Sequence, residues 1–175
     1  RRTYSAICSK NIYKRKKYLL AAANGSGLFN PADYGIKAKM LSTACWRGYQ
    51  CTYTIRKSLL HLATATIGID NEGITGELCM ADMRDSIKFT GGMLLANDFI
   101  SGYPRMMSAA IYGYTTVHEL LFEHGRVTAC IDHSMAMEEF RRWIAQQHAD
   151  EPWQITRTDV QEWMEQVFSR KYRQS

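Results

Sequence analysis

The chain has 175 residues, 46% hydrophobic and 22% charged, with a formal net charge of +5. These values suit one globular domain over residues 1 to 175 that buries about two-thirds of its unfolded surface, and they exclude wholesale disorder. The longest apolar runs, YLLAAA at 18 to 23 and GGMLLA at 91 to 96, fall far short of the roughly 20 residues of a bilayer-crossing helix, so a soluble protein is expected.

No charged-then-apolar leader is read at the start, where Arg1 stands. Cys8, Cys45, Cys51, Cys79 and Cys130 are odd in number and lack CxxC spacing. They predict reduced, mostly buried thiols in a cytoplasmic protein, with neither a disulfide framework nor a zinc site.

In chain order, residues 9 to 23 place Ile12, Lys16, Leu19 and Leu20 near one side of a helix that Asn24 and Gly25 would cap. The turn signals NGSG, NP and YG then predict a loop over 24 to 42. From 45 to 55, Cys45, Arg47, Tyr49, Cys51, Tyr53 and Ile55 alternate with Trp46, Gly48, Gln50, Thr52 and Thr54. That period of two predicts a strand, turned at Arg56, Lys57 and Ser58 into a second strand over 59 to 67. Residues 68 to 86 give no assignable pattern.

A strand is expected over 87 to 100, with Gly91 and Gly92 marking a bulge or a close approach of backbone. Residues 114 to 132 predict a hairpin turned at Glu123, His124, Gly125 and Arg126. Beyond it the period changes. Met137, Phe140, Trp143 and Ile144 recur at helical spacing behind Asp132 or Ser134 as a cap, and Val160, Trp163, Met164, Val167 and Phe168 follow Thr158, whose Gln161 would complete a capping box. The expected fold class is α+β: an antiparallel sheet built from hairpins, with an N-terminal helix and two C-terminal amphipathic helices packed on one face or edge.

Candidate chemistry is sparse. His118 and Glu119 open like a zinc-protease motif, but Phe122 stands where the second ligand belongs, so no metal is expected. Cys130, Asp132 and His133 could supply a nucleophile, an acid and a base, yet on a continuing strand His133 points away from the other two. NGSG lacks the spacing of a dinucleotide or phosphate loop, and Glu138 and Glu139 are helix neighbours that do not face each other. The expectation is a protein with no catalytic residues and no cofactor. An enzyme using His118 or the segment from Cys130 to His133 is the least favoured reading.

Two stretches point to binding. KRKK at 14 to 17 and RKYR at 170 to 173 carry much of the excess charge and could serve a nucleic-acid-binding accessory protein, or simply be solvated helix ends. Arg47 on a mainly apolar face needs a carboxylate or carbonyl partner, Asp82, Asp85, Asp98 and Asp132 being the carboxylates considered.

The succession Trp46-Arg47-Gly48-Tyr49, Tyr53-x-Ile55, Leu60-x-Leu62, FTGGMLLANDFI and VHELLFEHGRV resembles a family of small bacterial α+β proteins, some of whose members sit beside secreted polymorphic toxins. The likeness covers residues 45 to 132 and leaves the two-helix tail outside it. It implies an immunity-type protein that binds and neutralises a cognate toxin domain in the cytoplasm, and it carries over no functional residue. The recognition residues expected are Arg47, Tyr49 and Tyr53, with His118 and Arg126 from the second hairpin. A basic chain would be a poor mimic of nucleic acid, so an acidic contact surface or a non-nuclease target is expected of the toxin.

Overall fold

The computed structural model describes residues 9 to 13, 15 to 42, 45 to 71, 74 to 81, 84 to 102, 111 to 147 and 155 to 172. Cys8, Lys14, Asp82 and Arg173, singled out above, lie outside the described residues.

The expected N-terminal helix is replaced by two strands, β1 (Ser9–Tyr13) and β2 (Lys16–Ser26), turned through Arg15 at φ 64°. Small alanines in YLLAAA fit either period, and lateral hydrogen bonding decides: β2 pairs with β1 on one side and with β6 (Thr90–Phe99) on the other. The next hairpin follows the sequence. β3 (Tyr49–Arg56) and β4 (Leu59–Asn71) turn through Lys57 and Ser58, at φ 50° and 63°, the left-handed pair that matches strand twist in a two-residue turn. β3 begins later than expected, because residues 45 to 48 form a turn. The unassigned region holds the end of β4 and β5 (Ile74–Ala81). β7 (Tyr114–Glu123) and β8 (Arg126–Asp132) form the expected hairpin, with His124 and Gly125 at φ 46° and 84°.

These strands make an eight-stranded sheet in the order β3-β1-β2-β6-β7-β8-β4-β5, in which β4 also pairs with β3. The sheet thereby closes into a ring, with β5 an extra strand on β4. β1 and β3 run parallel; the other neighbours are antiparallel. Closure between β4 and β8 rests on the pair Leu59 and Arg126 and on bonds from Leu60 N to Gly125 O (2.8 Å) and Val127 N to Ser58 O (2.8 Å).

Register shifts in β2, at the β3–β4 pair and at the β7–β8 pair change which parity faces inward. Tyr18 and Leu20 therefore point into the ring, whereas Ala22 faces out. The interior is filled by side chains including Leu60, Leu62, Ile67, Phe89, Met93 and Leu120. A second core lies outside the ring, where Ala22, Leu94, Ala96 and Val117 meet two helices. These are α1 (Ser134–Gln147) and α2 (Arg157–Val167), as expected. α2 starts earlier than predicted: Thr156, not Thr158, is the cap, and Asp159, not Gln161, completes the capping box. No helix among the described residues is long and apolar enough to cross a membrane.

The expected close approach at Gly91 and Gly92 is present in two forms. A Cβ on Gly91, at φ 152°, would meet Asn24 O at 2.1 Å across the β2–β6 pair. On Gly92 it would meet the Tyr172 hydroxyl oxygen at 2.0 Å.

Candidate functional site

One end of the ring is stoppered by residues 27 to 42 and 45 to 48. Leu28 and Phe29 are buried in the interior core. Asn30 then caps a 3-10 turn, Pro31–Tyr34, by accepting from Ala32 N at 3.2 Å, and Gly35 ends it at φ 70°. Tyr34 stacks on Phe29 at 5.4 Å, and Tyr49 meets the same ring edge-on at 6.1 Å. Further along, Lys39 N donates to Gly68 O (2.7 Å), Gly68 N to Gly48 O (2.8 Å) and Gly48 N to Cys45 O (3.1 Å). Gly48 has φ 81°, and a Cβ there would meet Lys39 O at 2.4 Å, so only glycine lets the two loop arms touch.

This braced loop presents large apolar side chains to solvent. Trp46 is 77% exposed, Met40 52% and Tyr34 48%. Beside them Arg47 lies half-buried, its Nε donating to Tyr49 O at 2.9 Å and its guanidinium 4.6 Å above the Tyr49 ring. A carbonyl thus supplies a partner that the sequence demanded for Arg47.

Toward the other end of the ring, His118 packs edge-on against Tyr18 at 5.8 Å, and its Nδ1 lies 4.0 Å from Asp132. The Asp132 carboxylate is engaged by Ser134, accepting from its N at 2.9 Å and from its Oγ at 2.5 Å, which satisfies the first N–H of α1 and holds the acid below its ordinary pKa. Burial, with Asp98, Cys130 and Asp132 nearby, raises the Tyr18 phenol. Cys130 and Asp132 pair with Leu120 and His118, whose side chains face inward, whereas His133 reaches Glu119 on the helix-covered side, so a Cys-Asp-His constellation does not assemble. Among the described residues, no group of three or more His, Cys, Asp or Glu is placed to hold a metal ion.

Glu119 is the buried charge of the molecule's helix-covered face, 0% exposed. It accepts from His133 Nε2 (2.9 Å), Ser169 N (3.1 Å), Ser169 Oγ (2.7 Å) and Tyr172 Oη (2.9 Å). Burial opposes its ionisation, but the bonds from His133, Ser169 and Tyr172 outweigh that and hold its pKa at about 2. Burial and the adjacent carboxylate raise Tyr172. The arrangement ties the segment after α2 to β7, a structural task.

Comparison with protein-family models, curated proteins and solved structures finds no match.

The five residues expected to form a recognition surface are not brought together. Arg47 and Tyr49 share the stoppered end. Tyr53 is 3% exposed inside the ring, its phenol raised by burial, so its hydroxyl meets no outside partner. His118 lies toward the opposite mouth, and Arg126 is exposed beside Leu59 at the start of β4. The two basic segments are also apart: Arg15, Lys16 and Lys17 form a hairpin tip and not a helix end, while Lys171 approaches Glu165 and its carbonyl accepts from Asn24. Trp46, Met40 and Tyr34 were missed. The local signals around them were the turn residues Asn30, Pro31, Asp33 and Gly35 and, two residues after Trp46, Gly48.

Proposed function

We propose that this protein is a cytoplasmic, non-enzymatic binding protein of the immunity type, which holds a cognate toxin domain and blocks it. The observation that supports the reading is the exposed trio Trp46, Met40 and Tyr34 on a hydrogen-bonded loop, next to Arg47 and Tyr49. Tryptophan, tyrosine, methionine and arginine are the types enriched at interface centres, and a backbone already fixed before binding loses little entropy on association. Three large apolar groups on one braced loop cost solvation free energy that a bound partner would recover. Arg47, next to Trp46 in the chain, lies over the Tyr49 ring and donates to the Tyr49 carbonyl, which fixes this side of the loop.

Co-purification with the C-terminal domain of any toxin encoded beside this gene, together with rescue of growth, is the direct test. The expected result is a complex that Trp46→Ala weakens by at least tenfold while the thermal unfolding midpoint stays unchanged. Absence of both complex and rescue would remove the proposal.

A further inference from the structure

The sequence scatters cations that the fold gathers. β1 lies between β2 and β3 in register, with Ile12 opposite both Lys17 and Thr54. The β1–β2 tip, with exposed Arg15 and Lys16, is therefore set beside the β3–β4 tip, with exposed Arg56 and Lys57. Neighbouring strands are spaced about 4.8 Å, so these tips lie within about 10 Å laterally. Around the ring the same rim continues. Leu59, directly after the second tip, pairs with Arg126, and His61 bridges to Ser86, whose hydroxyl accepts from Lys88 Nζ at 2.9 Å. His61 reports the field: after burial, Arg56 and Lys88 are what lower its pKa.

None of Arg15, Lys16, Lys17, Arg56, Lys57 or Arg126 takes part in an ion pair among the described residues. Lys88 is likewise unpaired, bonded only to a hydroxyl. Glu123, opposite Arg126, Asp85, and Asp98 and Asp132, whose charges reach Tyr18 next to Lys17, are the acids at the margin, and the named cations, Lys88 included, outnumber them. Unlike the stoppered end, this rim has no exposed large apolar side chain among its described residues to anchor a protein interface. Separated, unpaired cations on hairpin tips match a polyanion with regularly spaced charges.

We infer that the hairpin-tip rim formed by Arg15, Lys16, Lys17, Arg56, Lys57 and Arg126 is a docking surface for the phosphate backbone of nucleic acid, read without regard to base sequence. Binding there releases condensed counterions, so affinity falls steeply with salt. The surface is distinct from the aromatic loop and does not depend on the function proposed for it.

Fluorescence anisotropy with labelled duplex DNA and single-stranded RNA, at 50 and 200 mM salt, tests the inference. The full-length protein is expected to bind both at low salt and to lose at least tenfold in affinity at high salt. The double variant Arg56→Glu/Lys57→Glu, at exposed turn positions, should lose tenfold or more at low salt and show a shallower salt slope, with unchanged circular dichroism. Lys171→Glu, on a different surface, should bind as the parent does. No binding at low salt would overturn the inference. So would equal losses in the Lys171 variant, or binding to polyglutamate or anionic vesicles but to neither nucleic acid.

Discussion

Glu119 shows how one buried carboxylate can be a stabilising group and a vulnerability together. Its pKa of about 2, against an ordinary value of 4.5, means the folded state holds the ionised form more firmly than the unfolded chain does. The resulting stability is fully present above about pH 4.5 and drains away as pH falls toward 2; at 1.36 kcal/mol per unit it is on the order of 3 kcal/mol. In Glu119→Gln, urea unfolding should show lower stability at neutral pH and a flatter stability curve between pH 4.5 and 2. A variant curve that parallels the parent through this window would contradict the assignment. Gly92 tests the same latch from the other side. The added methyl of Gly92→Ala would collide with the Tyr172 hydroxyl, 2.0 Å from its position, and push that ring off Glu119. We expect a loss of about 1–3 kcal/mol, as for an overpacked core, and faster tryptic cleavage after Arg170 and Lys171. An unchanged melting temperature and digestion rate would rule this out.

At the scale of elements, the hairpins and the helices differ in how much the sequence disclosed. Turns at Lys57-Ser58 and His124-Gly125 were legible, because strong alternation on either side left few residues for the reversal. β1 and β2 were not, since the alanines of β2 have no preferred face until β6 and the bulge after Leu20 supply one. β5 was illegible for a related reason: Glu77, Leu78, Cys79 and Ala81 are all exposed, so no burial rhythm is written into them. The start of α2 turned on two threonines, each followed by a side chain able to complete a capping box. Its geometry selects Thr156, whose Oγ1 accepts from Asp159 N at 3.1 Å while Asp159 Oδ2 accepts from Thr156 N at 3.0 Å. Thr156→Ala should therefore cost about 1 kcal/mol in denaturant unfolding, and Thr158→Ala no more than a few tenths. The reverse order would move the helix start back to where sequence alone put it.

Across the whole molecule, closing the sheet into a ring separates what the linear sequence had grouped. Arg47, Tyr49 and Tyr53 alternate in the chain, yet a turn takes the first out of the strand and enclosure takes the last away from solvent. Closure also sets two surfaces apart. One is the aromatic loop at the stoppered end; the other is the cationic rim where β1–β2, β3–β4 and β8 meet. The rim was not legible, because it depends on which strand tips become neighbours, and that follows from a parallel β1–β3 pair that local pattern does not encode. The central claim concerns the first surface. It is tested most directly by titrating the purified C-terminal domain of any toxin encoded beside this gene into parent and Trp46→Ala proteins in a calorimeter. The account predicts a saturable complex with the parent and at least tenfold weaker binding by the variant; equal affinities, or no heat from either, would contradict it.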